Sequence, residues 1–384
     1  MLSGSIIIST ILKHDSKQTS YKIALLRAIN DIVLSFPDLR NSHKDVAIPL
    51  KLLAQFWVAY YWPFVNPDSP IYQGQRSKGN DGQLRNDMSF RPELTALRRE
   101  WETIVRSSHP SDGFYLINEL RITRKYQTYP KSLHQCYAAA LSAIAKAMEM
   151  PIRYAGPGNW TVFNKPLKYA DIDDTIIAIP GTKSQDKCLI INADLWQTFQ
   201  EMSLWIEALC IHEWCLFSER VQQEKPVHRG LVYQLLTYRP DNRRPLTWER
   251  NNIDILLMEG TEFRCPWTEK TISQGINYDL DHILPVSLYP INELWNLVPS
   301  DPEFNSYKKR DRLPSQETLQ KARPYFELAY SNYSKSVSLS KALQEDVAVR
   351  FSTVLGNVNL PIILATAVVN LIDSFGEYRN LARF

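Results

Sequence analysis

The chain is most constrained between Tyr278 and Ser315, where the sequence reads "YDLDHILPVSLYPINELWNLVPSDPEFNSYKKRDRLPS". The run YDLDHILP alternates as a strand does and stops at Pro285, and ELWNLVPS makes a second short strand that Pro299 ends. In DPEFNSYKKRD, Asp301 is placed to cap a helix, Pro302 falls at its first position, and a helical run follows. The segment therefore predicts strand, loop, strand and helix in succession. Asn305 and Lys308 or Lys309 share a face of that helix. Asp281 and His282, neighbours near the end of the first strand, point to opposite sides of it.

An Asp-His pair, spaced asparagines and a basic cluster are not what a packed core needs. Phosphodiester hydrolysis does need a metal to stabilise charge on the phosphate and leaving oxygen, a base to activate water, and a frame that holds both in register. The Asp281 carboxylate and the Asn305 amide oxygen are hard ligands suited to Mg²⁺. His282 is the natural base, because an imidazole titrates near neutral pH. Asn296 is placed to fix the histidine loop through backbone hydrogen bonds. Asp279, on the same strand face as Asp281, is a supporting or alternative metal ligand, or else a solvated acid at a strand edge. Lys308, Lys309, Arg310 and Arg312 form a basic run that either contacts phosphate or is a solvated face. The bland alternative for the whole constellation is a loop whose Asp and Asn residues cap turns and helices. Base, ligands and orienting residue occurring together favour the site.

With these residues in place, the segment resembles the HNH (ββα-metal) nuclease family, in the variant whose last motif position is asparagine. The family's Asp-His pair falls on Asp281 and His282, its central asparagine on Asn296, its metal-binding helix residue on Asn305, and the lysine that follows on Lys308. The stretch RCPWTEKTIS, from Arg264, resembles the hairpin that often precedes the pair. Many relatives carry two CxxC pairs for a structural zinc, but here Cys265 stands alone, so no structural zinc is expected. The resemblance spans about residues 262–315 of the 384. It implies an endonuclease that uses Mg²⁺ or Mn²⁺ to hydrolyse double-stranded DNA, with RNA left open as a substrate. One such site cuts one strand, so a double-strand break would take a dimer or two nicks.

The resemblance further implies a bacterial defence nuclease of restriction or effector type, working with a sensor protein or as a homo-oligomer. TSYKIALLRAI, FWVAYYWPF and WIEALCIHEWCLF are similar to accessory regions of some bacterial defence-type HNH proteins. A homing or mobile-element endonuclease is the alternative enzyme. A catalytically silent HNH fold serving as a DNA-binding or scaffold subunit is the alternative without catalysis.

The rest of the chain reads as a host for this segment. Apolar residues make up 44% and charged residues 22%, the balance of a globular protein. A net charge of +3 gives little general attraction for nucleic acid, so a basic groove would have to be local. Five cysteines without a CxxC pair argue against a disulfide framework and for a reducing cytoplasm. The N-terminus lacks a basic leader and cleavage site, and the longest apolar run, Leu360 to Ile372, is too short to span a bilayer and reads as a buried helix.

The fold class expected is α+β, mainly helical with an embedded ββα-metal domain. Four regions follow: helical 1–110, mixed 111–249, the nuclease domain 250–315, and helical 316–384. Residues 66–90 read as a loop and Arg239 to Asn252 as a linker. TIIAIP and CLIINA read as strands, and the stretch from Asp194 to Val221 as one long helix with His212 buried on it. The helical run from Ser338 is expected to end at Gly356 and Asn357. The Arg121 to Lys131 stretch, basic and aromatic by turns, reads as a surface strand in preference to a nucleic-acid groove. The aromatic stripe at Phe56, Tyr60, Tyr61 and Trp62 reads as core.

Overall fold

Amphipathic helices carry most of the sequence, and the computed structural model is accordingly a mainly helical α+β protein. It describes residues 3–36, 39, 43–76, 85–106, 108–173, 175–221, 226–238, 246–286, 292–379 and 382–384. The chain divides into two units: residues 1–121 with 125–239, and residues 122–124 with 240–384. Each has its own hydrophobic core.

In the first unit the helix Tyr21–Ser35 is buried along almost its whole length. Some of its polar atoms find partners inside the unit. The Arg27 guanidinium donates to the Leu236 carbonyl at 2.7 Å and lies over the Tyr60 ring, whose hydroxyl donates to Asp31 at 2.6 Å. The aromatic residues of Leu50–Tyr61 and the turn after it pack with Tyr21, Phe90 and Trp214, so the stripe at Tyr60, Tyr61 and Trp62 is core. Gly113 lets the helix Asp112–Arg121 approach closely, since a Cβ there would meet the Ala59 Cα at 2.8 Å. A small sheet completes the unit. Val46–Pro49 pairs antiparallel with Lys187–Ile191 and parallel with Ile177–Ala178, and Leu167–Lys168 joins the outer side of Lys187–Ile191.

Several expectations are corrected here. The long helix is two helices, Ala193–Glu201 and Ser203–Arg220, broken at Met202, where neither glycine nor proline interrupts the period. His212 is exposed, and its neighbour Glu213 is the buried residue, paired with Lys13 at 2.6 Å. Arg121 to Lys131 is not a strand. Arg121 ends a helix, Thr123–Tyr126 makes one further turn, and Pro130 leads into Lys131–Ala147, against which Tyr126 stacks on His134. Of the expected loop at 66–90, residues 77–84 lie outside the described residues. So do residues 239–245 of the expected linker, the end of which begins the helix Thr247–Met258.

The second unit packs the helices Thr247–Met258, Gln316–Tyr333, Val337–Arg350 and Leu360–Arg379 around two two-stranded sheets. Phe263–Arg264 pairs with Thr271–Ile272, and Asp279–His282 pairs with Leu297–Ser300. Two tyrosines one turn apart on Gln316–Tyr333 hold the last of these strands. Tyr330 donates to the Trp295 carbonyl at 2.6 Å and Tyr333 to the Leu297 carbonyl at 2.7 Å. The helix Val337–Arg350 stops before Gly356, contrary to expectation, because Phe351 leaves helical geometry and a short 3₁₀ turn follows. Among the described residues no helix is long and apolar enough to cross a membrane.

Candidate functional site

The strand Asp279–His282 runs antiparallel to Leu297–Ser300, with Asp281 opposite Val298 and His282 opposite Leu297. Pro299 does not end the second strand but lies within it, opposite Leu280. The Ile283 N–H bonds the Asn296 carbonyl at 2.8 Å, and the alternation of an antiparallel ladder then puts Leu280 and Pro299 at a pair that exchanges no hydrogen bonds. Proline costs nothing there. Beyond the strand, the Asp301 carboxylate accepts the Glu303 N–H, capping the turn that begins at Pro302. The Asp301 N–H in turn donates to the Cys265 sulfur at 3.2 Å, which ties the hairpin 263–272 to the start of that turn. The chain then makes a single π turn, Asn305–Lys309, closed by the Arg310 N–H on the Asn305 carbonyl at 3.0 Å.

Two residues apart on one strand, Asp279 and Asp281 share a face, and the turn lays a different partner on each. The Asn305 amide nitrogen donates to Asp279 Oδ2 at 3.2 Å. Lys309 donates to Asp281 Oδ1 at 2.9 Å and to the His282 carbonyl at 2.7 Å. The other oxygen of Asp281 accepts the Trp267 indole N–H at 3.1 Å. Asp281 and Lys309 are both buried, whereas Asp279 and Asn305 are half-exposed. On the opposite side of the strand, His282 Nε2 lies 2.7 Å from Oδ1 of the buried Asn292. With the Asn292 oxygen as acceptor, that contact calls for the ring proton on Nε2. Asn296 is fully buried, and its side chain bonds both the N–H and the carbonyl of Leu284.

The residues singled out in the sequence thus fall in one place with two differences. Lys309, grouped there with the phosphate-contacting cations, is buried at 1% exposure and spent on Asp281, which corrects that reading. Lys308 and Arg310 are exposed, while Arg312 is half-buried and donates to the Lys308 carbonyl. Asn305 meets Asp279, not Asp281. Two further residues, Asn292 and Trp267, escaped the sequence reading, as did the buried role of Lys309. Trp267 lies inside the hairpin quoted for the resemblance, and its ring packs on Phe326 and Phe384.

Among the described residues no three or more His, Cys, Asp or Glu side chains converge to hold a metal ion. The donors that are present fit a hard divalent ion that keeps most of its water and takes few protein ligands. At a half-exposed position Asp279 offers a carboxylate and Asn305 an amide oxygen, the two residues touching through the Asn305 nitrogen. Beside the site, Lys270 donates to Asp301 at 2.6 Å, and this hydrogen bond holds the Asp301 carboxyl below the usual range.

Comparison with known proteins agrees with the geometry over this segment. Residues 265–315 match the family model described as HNH endonuclease, so the second unit contains an HNH endonuclease domain. No curated protein and no solved structure matches the chain. Residues 3–236 match the model described as Domain of unknown function (DUF8808). That match covers more than half of the 384 residues, and the chain belongs to that family.

Proposed function

We propose that the second unit hydrolyses DNA phosphodiester bonds with the help of a divalent metal, with His282 as general base. The observation that carries this reading is the juxtaposition on one strand of a ring-oriented histidine and oxygen donors suited to a metal, inside a segment that matches the HNH endonuclease model. Mg²⁺ or Mn²⁺, held through Asp279, Asp281 or Asn305, would supply positive charge for the phosphate and leaving oxygen. His282 takes a proton from the attacking water while Asn292 holds the ring. Asn296 fixes the backbone just past the histidine. The exposed Lys308 and Arg310 contact backbone phosphates and position the strand to be cut. Defence against foreign DNA, with a sensor protein or a second copy as partner, is the setting we propose for this activity.

One observation favours the second reading, a silent scaffold: the Asp281 carboxylate is already paired with Lys309. Purified protein incubated with supercoiled plasmid in Mg²⁺, Mn²⁺ or EDTA, beside His282→Ala, separates the two. Nicked or linear product that requires both metal and His282 supports the nuclease. Intact plasmid under every condition supports the scaffold, and cleavage that survives His282→Ala removes this site from the reaction.

A further inference from the structure

We propose that a cavity in the first unit binds a small molecule that carries a phosphate, with Lys17 and Arg220 as the cations that hold it. The cavity has a volume of about 490 Å³, within the range of small-molecule sites. None of its lining residues belongs to the HNH segment, so the site does not depend on the nuclease reading. The C-terminal part of the helix Ser203–Arg220 forms much of it, with Glu213, Leu216, Phe217 and Arg220 on one face of that helix. The rest is mainly the segment in and after the π turn Thr10–His14, where the Gln75 N–H meets the Gln18 carbonyl at 3.4 Å and brings Gln75 to the same space.

The carboxylates of the lining are already engaged. Asp15 accepts from Lys22 at 2.9 Å and from the Gly156 N–H at 2.7 Å, and Glu213 accepts from Lys13 at 2.6 Å. Among the described residues neither Lys17 nor Arg220 forms an ion pair. Lys17 donates to the Asp15 carbonyl at 3.0 Å. Arg220 bonds the Leu216 carbonyl through Nε at 3.1 Å, which leaves both terminal nitrogens of the guanidinium to donate. Burial pushes the Lys17 ammonium below its usual value, and the charges of Lys22 and Arg220 add to this against the pull of Glu213 and Asp15. Two cations that repel each other, without a paired counter-ion, make a place that an anion stabilises.

The donors favour phosphate among small anions. A guanidinium with its terminal nitrogens open and a half-exposed ammonium can each take a different oxygen of one phosphate. The amides of Gln18 and Gln75 line the same space and add neutral donors. Leu216 and Phe217 give it an apolar side against which the uncharged body of the ligand can pack. A charged end beside an apolar side is the make-up of a small-molecule site. A groove that follows a nucleic-acid backbone would instead carry cations in a row.

Isothermal titration calorimetry of the full chain with inorganic phosphate, AMP, adenosine and a short DNA duplex tests this site. Phosphate and AMP are expected to bind the wild type, and adenosine is not. Lys17→Met and Arg220→Met should each weaken binding about ten-fold or more, the loss of a hydrogen bond to a charged group. Arg220 is exposed and Lys17 half-exposed, so both variants should fold, which circular dichroism checks. Lys17→Gln and Arg220→Gln replace any that does not, with the same loss expected. Glu213→Gln should tighten binding, because it removes a negative charge from the lining and keeps an acceptor for Lys13. Lys187→Met, which removes an exposed cation from the sheet of the same unit, should leave affinity unchanged. A wild type that binds neither phosphate nor AMP overturns the site. So does adenosine binding as tightly as AMP, or Lys187→Met weakening binding as much as Lys17→Met. A duplex that binds and is lost with Lys17→Met and Arg220→Met, while AMP does not bind, gives the cavity to nucleic acid and overturns it as well.

Discussion

The Asn296 side chain brackets the main chain of Leu284, accepting its N–H at 2.7 Å and donating to its carbonyl at 3.1 Å. Both groups are buried. Asn296→Ala should therefore leave two backbone groups unsatisfied and cost roughly 2–6 kcal/mol in the unfolding of the second unit, at about 1–3 kcal/mol for each group. Asn296→Asp keeps the acceptor but sets a carboxylate against the Leu284 carbonyl, and should be no better than alanine. Urea unfolding followed by tryptophan fluorescence measures both. Equal stability of wild type and Asn296→Ala would mean that the bracket is not what holds the loop.

This residue also shows what the sequence made legible. A buried asparagine just ahead of a strand, downstream of an Asp-His pair, has few uses other than bonding backbone, and that use could be read from type and position. The strand, loop, strand, helix order followed from the same local signals of alternation, proline and capping, the helix being a short α turn continued by a π turn. What could not be read was set by packing across the chain. Lys309 looked like any member of a basic run until a π turn, which has no sequence signature, buried it on Asp281. Asn292 carries no local signal, and only its distance from His282 marks it. In the first unit, the central strand Val46–Pro49 has partners more than a hundred residues away, and its four residues carry no period that marks it.

Asn292 gives the second prediction. It meets His282 at Nε2, so it acts on the reaction by orienting the ring. Asn292→Ala should lower kcat for plasmid nicking about ten- to hundred-fold and leave KM unchanged, a smaller loss than His282→Ala, which removes the base itself. A rise in KM with kcat intact would assign Asn292 to substrate binding.

Acid should reveal the bond between Lys270 and Asp301. The Lys270 hydrogen bond holds the folded Asp301 carboxyl below its usual range, so the folded state releases this proton more readily than the unfolded chain does. The resulting stability is present above the ordinary carboxyl value, about 3.9, and is lost as pH falls through the lower folded value. Wild type should be slightly more stable than Lys270→Met at neutral pH, and the gap should close below about pH 3.9. Because Lys270 is mostly exposed, salt should shrink the gap as well. A gap that widens in acid would contradict this assignment.

Arg124 gives the last prediction. In the second unit its guanidinium donates to Asp346 at 2.7 Å and lies 3.9 Å from Glu249, and both carboxylates are only 1% exposed. Asp346 also accepts the N–H of Leu294, the first residue of the turn that carries Asn296. Removing the guanidinium would leave buried negative charge beside the support of the Asn296 bracket. Arg124→Ala should therefore destabilise the second unit by about 3–5 kcal/mol, the cost of breaking a buried pair from one side. Adding Asp346→Asn should recover much of that loss. The amide removes the stranded charge and still accepts the Leu294 N–H. If the double variant were no more stable than Arg124→Ala, the lost packing of the arginine over Trp248 would be the larger effect, and charge the smaller one.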